Sequence, residues 1–370
     1  MTRIRILFVG PVSPPVTGQS LACDVLIEAL EPVYDIELVN LAHDRLDNSR
    51  VRFGHVLSVL GKVRRVRRGV KNADIIYYTG AESIGGNLKD VLIYIACLGK
   101  LPRVIMHLHG GAGMRRLMRG KTGFFRALNR PFLSRLGAVV VLGERLRDVF
   151  RDAVPDDKLE VVANFSEDEF FTTPEAISAK FADSATIRML FLSNMLPGKG
   201  HIEIVEAYGQ LTMAERDRLV IDFAGCFDSE TAQAAFLYSI RSFRNLQYRG
   251  VVRGAHKKAL LNDAHIFALP TYYPYEGQPI SILEAFASGC AVVTTDHSGI
   301  FDTFTDGMNG IAVDKQSAPS LAAAFRRIIA DPQALALVAT ANLAHAKARF
   351  TTDRYTKDLL AIIARVADRA

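Results

Sequence analysis

Two glutamates, Glu276 and Glu284, stand eight positions apart and are the residues of this chain best placed to do chemistry. Glu284 has apolar neighbours on both sides in the segment ISILEAFA, residues 280–287. An ionised carboxylate without a partner is too costly to bury. Either a basic side chain or a polar ligand must therefore meet Glu284.

Lys199 is a candidate for binding phosphate. It lies between two glycines in LSNMLPGKGH, residues 192–201, at the predicted start of a helix. An ammonium beside the free N–H groups of a helix start suits a phosphate. The segment does not match the nucleotide-binding pattern GxxxxGK[ST], and an ordinary surface lysine is the alternative interpretation.

The N-terminal half offers two further candidates. Gly18 ends a loop at a predicted helix start, which favours an anion, although a lone glycine there is more often a simple turn. His107 and His109 alternate on a predicted strand, and His109 ends that strand before two glycines that leave room for a ligand. A hydrogen-bonded core histidine is the alternative for both. No third residue with suitable spacing completes a metal site, so we expect none.

Short apolar runs alternate with helical patterns along the chain, which predicts βαβ units and parallel sheets. Strands are predicted at 4–9, 35–39, 74–78, 103–108, 138–142 and 159–162, and again at 187–193, 219–225, 246–248, 266–269, 291–294 and 310–313. Residues 163–186 are predicted to connect the two series, and residues 317–368 to be helical throughout. The chain of 370 residues is therefore expected to form two doubly wound α/β domains. Ligands bind such sheets at the carboxyl ends of strands.

Basic residues are concentrated in the N-terminal part of the chain. Residues 1–143 contain 21 Lys and Arg against 10 Asp and Glu, a net charge of +11, which leaves −5 for the rest of a chain whose total is +6. No acidic residue occurs in 48–73 or 91–143. This asymmetry indicates an anionic partner: a membrane surface, a phosphorylated lipid or a nucleic acid. Nucleic acid is disfavoured because aromatic residues are not interleaved with the basic runs.

Residues 51–70 predict a helix with an apolar stripe and arginines on its other faces. The stripe consists of Val56, Val59, Leu60, Val63, Val66 and Val70. It predicts peripheral binding to an anionic membrane, and the alternative is that the stripe covers the helix's own sheet. No apolar run approaches the length that spans a bilayer, and four scattered cysteines fit a reduced, cytoplasmic protein.

In combination, these motifs resemble the retaining glycosyltransferases of family 4, particularly members that build bacterial surface polysaccharides. The most specific feature is the spacing E-x7-E in EGQPISILEAFASGCAVVTT, beside PPVTGQS, HLHGG, LSNMLPGKGH, LNDAHIFALP and SGIFDTFTDGMNGIAV. The resemblance implies the GT-B fold: two Rossmann-like domains facing across a cleft. Residues 1–165 would bind the acceptor, with a C-terminal helix at 352–370 returning to that domain, and residues 185–350 would bind the nucleotide sugar.

The resemblance also implies a role for each candidate residue. Glu284 would hold the ribose hydroxyls of the donor, so that a ligand rather than an arginine meets its carboxylate. Glu276 would contact the transferred sugar, and His109 would approach that sugar from the N-terminal domain. Lys199 would neutralise the diphosphate, helped by Gly18 and by the backbone amides after Glu276, at Gly277 and Gln278.

Three positions depart from the family pattern. Asn194 stands where the family usually has an arginine that clamps the diphosphate, and Arg253 is the substitute we consider. Gln19 replaces a glycine of the N-terminal loop, and Asp302 replaces a glutamate. The charge on the diphosphate is therefore incompletely balanced by the residues that the family pattern supplies.

The expected activity is sugar transfer from a nucleotide diphosphate sugar to a lipid-linked or polysaccharide acceptor. We expect it to act without a metal or other cofactor, at the inner face of the cell membrane. A GT-B nucleotide-sugar epimerase is the alternative among enzymes. A non-catalytic nucleotide-sugar-binding partner is the alternative outside them, and donor turnover by the purified protein would separate these classes.

Overall fold

A computed structural model describes residues 3–42, 51–182 and 185–369, without the side chains of 51–56. The chain divides into two compact units. Unit 1 comprises Met1–Asn164 and Asp353–Ala370, and unit 2 comprises Phe165–Thr352. Each unit is built around one six-stranded parallel sheet.

The sheet of unit 1 has the strand order β2-β1-β3-β4-β5-β6. Its strands are β1 (Arg5–Gly10), β2 (Asp35–Asn40), β3 (Ile75–Thr79), β4 (Val104–Leu108), β5 (Ala138–Val141) and β6 (Leu159–Val161). The central strands are apolar at nearly every position, and Ile6–Val9 are fully buried. Such runs suit strands that are covered by helices on both faces.

Helices of unit 1 divide between the two faces of this sheet. They are α1 (Gly18–Leu30), α2 (Val51–Asn72), α3 (Ile84–Ala96), α4 (Ala112–Met118), α5 (Phe124–Leu133) and α6 (Glu144–Arg147). The connection from β1 to β2 runs in one direction along the sheet. The successive connections from β2 to β3, from β3 to β4 and from β4 to β5 run in the opposite direction. Because parallel crossovers are right-handed, α1 lies on one face and α2, α3 and α5 lie on the other.

Unit 2 repeats this plan with the strand order β12-β11-β10-β7-β8-β9. Its strands are β7 (Ile187–Leu192), β8 (Leu219–Ala224), β9 (Leu246–Tyr248), β10 (Ile266–Leu269), β11 (Ala291–Thr295) and β12 (Gly310–Val313). Its helices are α7 (Pro174–Ala182), α8 (His201–Gly209), α9 (Met213–Asp217), α10 (Glu230–Ile240), α11 (Gly254–Asp263), α12 (Ile280–Ala287), α13 (Ala318–Ala330) and α14 (Pro332–Arg349). The predicted doubly wound α/β class is therefore confirmed for both units.

The end of the chain differs from the uninterrupted helix predicted over 317–368. The helix breaks at Asp331, because Pro332 lacks the N–H that would continue α13 and instead starts α14. A second break at Phe350 precedes the last helix, α15 (Thr352–Asp368). This helix packs in unit 1, where the hydroxyl of Tyr355 donates to the carbonyl of Ala22 at 3.1 Å.

The segment predicted as a connector, 163–186, belongs almost wholly to unit 2 and contains α7. The ammonium of Lys180 on this helix donates to the carbonyl oxygens of Ala264, Ser288 and Gly289 at 2.8–3.0 Å. Three acceptors satisfy the three N–H donors of a lysine. Lys180 therefore ties α7 to the loops before β10 and β11.

Part of the apolar stripe predicted on residues 51–70 turns towards the sheet, whereas Leu60 of the same stripe is 50% exposed. Val66 and Val70 are buried in the core of unit 1, and Val63 packs against that core. The membrane interpretation of this stripe is wrong for these residues, because they cover the apolar face of the parallel sheet. Val56 lies outside the described side chains. No helix among the described residues is long and apolar enough to cross a membrane.

Candidate functional site

Lys199 lies at the carboxyl end of β7, in a loop that requires glycine on both sides of it. Gly198 and Gly200 have positive φ angles of 92° and 91°. A Cβ on Gly200 would lie 2.6 Å from the carbonyl oxygen of Pro270, so no larger residue fits without a backbone shift. The amide of Tyr272 donates to the carbonyl of Gly198 at 2.7 Å. These contacts hold the lysine loop against the segment that follows β10, the neighbour of β7 in the sheet.

Lys199 and Glu276 form an ion pair in this position. The ammonium lies 2.8 Å from Glu276 Oε2, and the two side chains are only 12% and 9% exposed. Thr271 Oγ1 donates to the same carboxylate oxygen at 2.9 Å. The sequence analysis assigned these two residues to separate parts of a ligand, whereas the structure brings them into direct contact.

The turn that follows Glu276 is fixed by the loop after β11. Ser298 Oγ donates to the carbonyl of Glu276 at 2.7 Å, and the amide of Gly299 donates to the carbonyl of Gly277 at 3.1 Å. Gln278 is buried, at 4% exposure. The carboxylate of Glu276 is therefore held from its side chain and from its backbone, with little freedom to reorient.

Glu284 has a basic partner that the sequence analysis did not identify. Lys257 Nζ, on α11, lies 2.6 Å from Glu284 Oε1, and Glu284 is 1% exposed. A ligand rather than an arginine was expected to meet this carboxylate, and in the structure a lysine meets it. Burial raises the pKa of Glu284, and the nearby Lys257 opposes that rise. The ammonium also lies 4.6 Å from the ring centroid of Phe170.

A weak signal for Lys257 was present in the sequence. Lys257 lies four residues before Leu261, the buried residue of α11, so the two share one helix face. The adjacent His256 and Lys258 are also basic or polar, and sequence alone did not show which of them points inward. Only the tertiary contact between the side chain of Lys257 on α11 and that of Glu284 on α12 identifies Lys257 as the partner of Glu284.

Asn194 and Arg253 are both exposed in the structure. Asn194 is exposed, and its Oδ1 accepts from Cys226 Sγ at 3.2 Å. Arg253 is exposed at the start of α11. Among the described residues, no hydrogen bond or ion pair joins Arg253 to Lys199 or Glu276. Arg253 therefore remains only a prediction as a replacement for the missing arginine.

His109 lies in unit 1, immediately after β4. Its ring lies 4.0 Å from that of His107, centroid to centroid, and His107 Nδ1 is 2.5 Å from the hydroxyl of Tyr77. Both ring nitrogens of His109 are buried without a hydrogen-bond partner in the described part of the chain. Burial lowers the pKa of His109 to about 3. A neutral imidazole with two unsatisfied nitrogens suits a polar, uncharged ligand group.

Glu82 approaches the same loop of unit 1, which the sequence analysis did not anticipate. A Cβ built on Gly110 would lie 2.2 Å from the carboxyl group of Glu82, so a larger residue after His109 would have to displace the end of that side chain. Gly18 begins α1 as predicted. The side chain of Thr17 already accepts from the amide of Ser20, so the chain itself satisfies one of the donors that the prediction offered to an anion.

Comparison with known proteins identifies the domain in unit 2. Residues 173–343 match the family described as Glycosyl transferases group 1. A segment of 159 residues is 30% identical to the putative colanic acid biosynthesis glycosyltransferase WcaL of Escherichia coli K12, covering 36% of this chain and 39% of that protein. A segment of 114 residues is 30% identical to the amylovoran biosynthesis glycosyltransferase AmsK of Erwinia amylovora, covering 30% and 28%. The matches span less than half the length of these curated relatives.

Solved structures share the fold over the full chain. The crystal structure of Anabaena HepE in complex with UDP-glucose aligns with a TM-score of 0.71 at 18% identity, covering 99% of both chains. Sucrose-phosphate synthase from Thermosynechococcus elongatus aligns with a TM-score of 0.76 at 14% identity over the whole of both chains. The predicted GT-B fold class is confirmed, and the predicted glycosyltransferase domain is confirmed for residues 173–343.

Replacing Lys257 with methionine tests the ion pair of Glu284. Methionine keeps the apolar stem but leaves a buried carboxylate unpaired, so the free energy of unfolding near pH 7 should fall by about 3–5 kcal/mol. The pKa of Glu284 is raised by burial, so the folded state binds its proton more tightly than the unfolded state. The loss should therefore shrink as the pH falls towards the ordinary pKa of a glutamate, which urea unfolding at both pH values would measure.

Lys258→Met is the matched control, since it changes the neighbouring lysine of the same helix and should alter stability by no more than about 0.5 kcal/mol. The double variant Lys257→Met, Glu284→Gln should recover much of the free energy of unfolding that Lys257→Met loses. Equal losses for the two lysine variants, or a loss independent of pH, would contradict a structural ion pair.

Proposed function

We propose that this chain is a retaining glycosyltransferase of family 4 that transfers a sugar from a nucleotide diphosphate sugar. The observation that carries the proposal is the buried pair of Lys199 and Glu276 at the carboxyl ends of β7 and β10, inside a glycosyltransferase group 1 domain. Ligands of doubly wound sheets bind at that edge. The fold shared with a HepE structure that holds UDP-glucose supports a nucleotide sugar as the donor.

The pair supplies opposite charges at the two places where charge develops. As the bond from the sugar to the diphosphate breaks, positive charge grows on the sugar and negative charge on the leaving group. An ammonium has three N–H donors, and Glu276 accepts from one of them, which leaves Lys199 capacity for phosphate oxygens. Glu276, fixed by Thr271 and by its own turn, would stabilise the sugar.

Lys257 changes how Glu284 would act. A carboxylate has two oxygens, and the described hydrogen bond from Lys257 reaches only Oε1. We propose that Glu284 holds the ribose through its remaining acceptor capacity, while Lys257 keeps the buried carboxylate oriented and charged. The roles of His109 and Gly18 in unit 1 remain predictions from the family resemblance.

The acceptor is proposed to be a lipid-linked or polysaccharide sugar in the synthesis of a surface polysaccharide. WcaL and AmsK are named for colanic acid and amylovoran biosynthesis, which supports this class of product. With a lipid-linked acceptor, sugar transfer would take place at the inner face of the cell membrane.

A panel of nucleotides tests donor binding. A ligand that binds only the folded state at about 100 times its Kd stabilises it by about 2.7 kcal/mol, which raises the Tm of a domain of this size by several degrees. We expect one nucleoside diphosphate and its nucleotide sugar to raise the Tm in this way, and adenosine to leave the Tm unchanged. Glu284→Gln should reduce the selective shift at the same nucleotide concentration, and an unselective response of the native protein would count against the proposal.

The kinetics of two variants separate the roles of the glutamates. Glu276→Gln should lower kcat more than it raises the donor KM, because its carboxylate acts mainly on the transition state. Glu284→Gln should raise the donor KM by about 10–150-fold, the effect of one charge-assisted hydrogen bond.

Turnover is measured as sugar transferred and as donor hydrolysed, with folded protein counted from thermal melts of each variant. Equal losses of kcat at unchanged KM for both variants would show that the roles are wrongly assigned. Interconversion of the donor sugar without transfer would instead favour an epimerase, and donor binding without any turnover would favour a non-catalytic partner.

Sugar transfer should continue in excess EDTA, because Lys199 and backbone amides are proposed to balance the charge of the diphosphate. Within the described ranges, no three His, Cys, Asp or Glu side chains are grouped as metal ligands would be. Transfer rates with EDTA, and after addition of Mg²⁺ or Mn²⁺, provide the measurement. A complete loss that either metal restores would overturn this expectation.

A further inference from the structure

The outer face of α3 in unit 1 carries a continuous apolar stripe. Its four members, Ile84, Leu88, Leu92 and Ile95, are 60%, 48%, 38% and 44% exposed. At about 100° per residue they fall within an arc of about 80° on the helix surface. The solvent face of a helix that covers a sheet is ordinarily polar, so this stripe needs an explanation.

The opposite face of α3 fixes the helix in this orientation. Ile93 and Tyr94 are buried in the core of unit 1. Asp90, which is also buried, accepts hydrogen bonds from the hydroxyl of Tyr78 and, at 2.8 Å, from the amide of Ala81. Because these groups satisfy one another beneath the helix, α3 cannot rotate to bury its stripe.

The apolar surface extends onto the helices on either side. On α2, which packs against α3, Leu57 and Leu60 are 67% and 50% exposed. On α5, Phe124 is 58% exposed, and this helix is joined to α3 by a hydrogen bond from Asn129 to Asn87 at 2.9 Å. We call this three-helix area the α3 surface: Leu57, Leu60, Ile84, Leu88, Leu92, Ile95 and Phe124.

Cations flank the α3 surface on both sides. The exposed basic residues are Arg64, Arg65, Arg67, Arg68 and Lys71 on α2 and Arg126 and Arg130 on α5. The sequence contains no Asp or Glu in 48–73 or in 91–143, so no acidic residue of α2 or α5 offsets them. An apolar stripe bordered by arginines is the composition of helices that lie in the interface of an anionic membrane.

A second copy of the chain fits this surface poorly. In a two-fold dimer the same patch lies on both partners, so the arginines beside one stripe would face those beside the other. An anionic bilayer meets both features at once: it accepts apolar side chains below the headgroups and attracts arginines at their level. The distribution of charge therefore favours an anionic membrane, and not a second copy of the chain, as the partner of the α3 surface.

The geometry points to the α3 surface as a membrane-docking site, where the stripe of α3 enters an anionic lipid bilayer and the arginines of α2 and α5 contact its headgroups. This inference identifies the membrane partner of the proposed transferase and rests on that function for its biological setting. Because Val66 and Val70 of the stripe predicted on α2 are buried in the core, the main apolar contact is assigned here to the neighbouring helix, α3.

Co-sedimentation of the full chain with phosphatidylglycerol–phosphatidylcholine vesicles tests the inference. The double variant Leu88→Gln, Leu92→Gln should bind these vesicles at least about 100-fold more weakly, since it removes two apolar side chains from the interface. Arg64→Gln with Arg68→Gln should weaken binding by about fivefold for each arginine, and salt should reduce binding by the native protein.

The matched control is Leu237→Gln, Leu337→Gln, which changes two leucines of unit 2 that are 40% and 77% exposed and should leave vesicle binding unchanged. Thermal melts confirm that each variant is folded. The inference is overturned if the native protein does not bind the vesicles, binds phosphatidylcholine alone equally well, or loses nothing in the α3 variant. It is also overturned if sedimentation shows a dimer that the α3 variant dissociates.

Donor turnover without vesicles separates this inference from the proposed function. The α3 variant should retain the thermal shift with the nucleotide and the hydrolysis of the donor. Vesicle binding with no response to any nucleotide would remove the proposed function and leave the docking surface intact. Nucleotide binding without vesicle binding would overturn the docking surface and leave the proposed function intact.

Discussion

Burial of two carboxylates at one edge of a parallel sheet is the constraint on which the candidate site depends. Glu276 and Glu284 are 7% and 1% exposed, and neither could stay ionised there without a cation. Lys199 and Lys257 meet this requirement, each within hydrogen-bond distance of one glutamate. Breaking such a pair is far more harmful than never having formed it, because the remaining charge stays buried. Stability and the proposed function therefore depend on the same four side chains.

The backbone around these pairs follows from the same requirement. The turn after Lys199 passes so close to Pro270 that only a glycine fits at position 200. The turn after Glu276 is held by the hydroxyl of Ser298. Charged groups held by close backbone contacts need little reorganisation when charge develops on a ligand, which is the main source of electrostatic catalysis. Rigid placement is thus a consequence of burying the charges, and it is also what the proposed reaction requires.

Unit 1 has the same α/β plan as unit 2, but the groups that it buries are different. Its helices bury valines and tyrosines against the sheet, and its one buried carboxylate in α3, Asp90, is satisfied by Tyr78 and a backbone amide. The exposed stripe of α3 and the arginines beside it contribute nothing to this core. Apolar exposure has no stabilising effect in water, which is the reason for proposing a partner outside the chain.

The sequence by itself determined the class of the fold and the positions of its strands. The apolar runs that became strands are too regular, and too evenly separated by helical patterns, to suit another architecture. It also determined that Lys199 and Glu276 lie in loops between a strand and a helix and that Glu284 lies within the helix that follows, because this follows from local patterns of glycine, proline and apolar residues. The proposed site was thus located from sequence.

Only the tertiary structure decided the partners. Lys257 is 27 positions from Glu284 and reaches it because two helices lie side by side, which no local pattern encodes. Lys199 and Glu276 are 77 positions apart and meet because β7 and β10 are neighbours in the sheet. Likewise, a periodic pattern shows that α2 has an apolar face, but packing decides that Val66 is covered while Leu88 on α3 is exposed. Periodicity along one helix gives the direction of a side chain relative to its own axis, and only packing decides what that side chain meets.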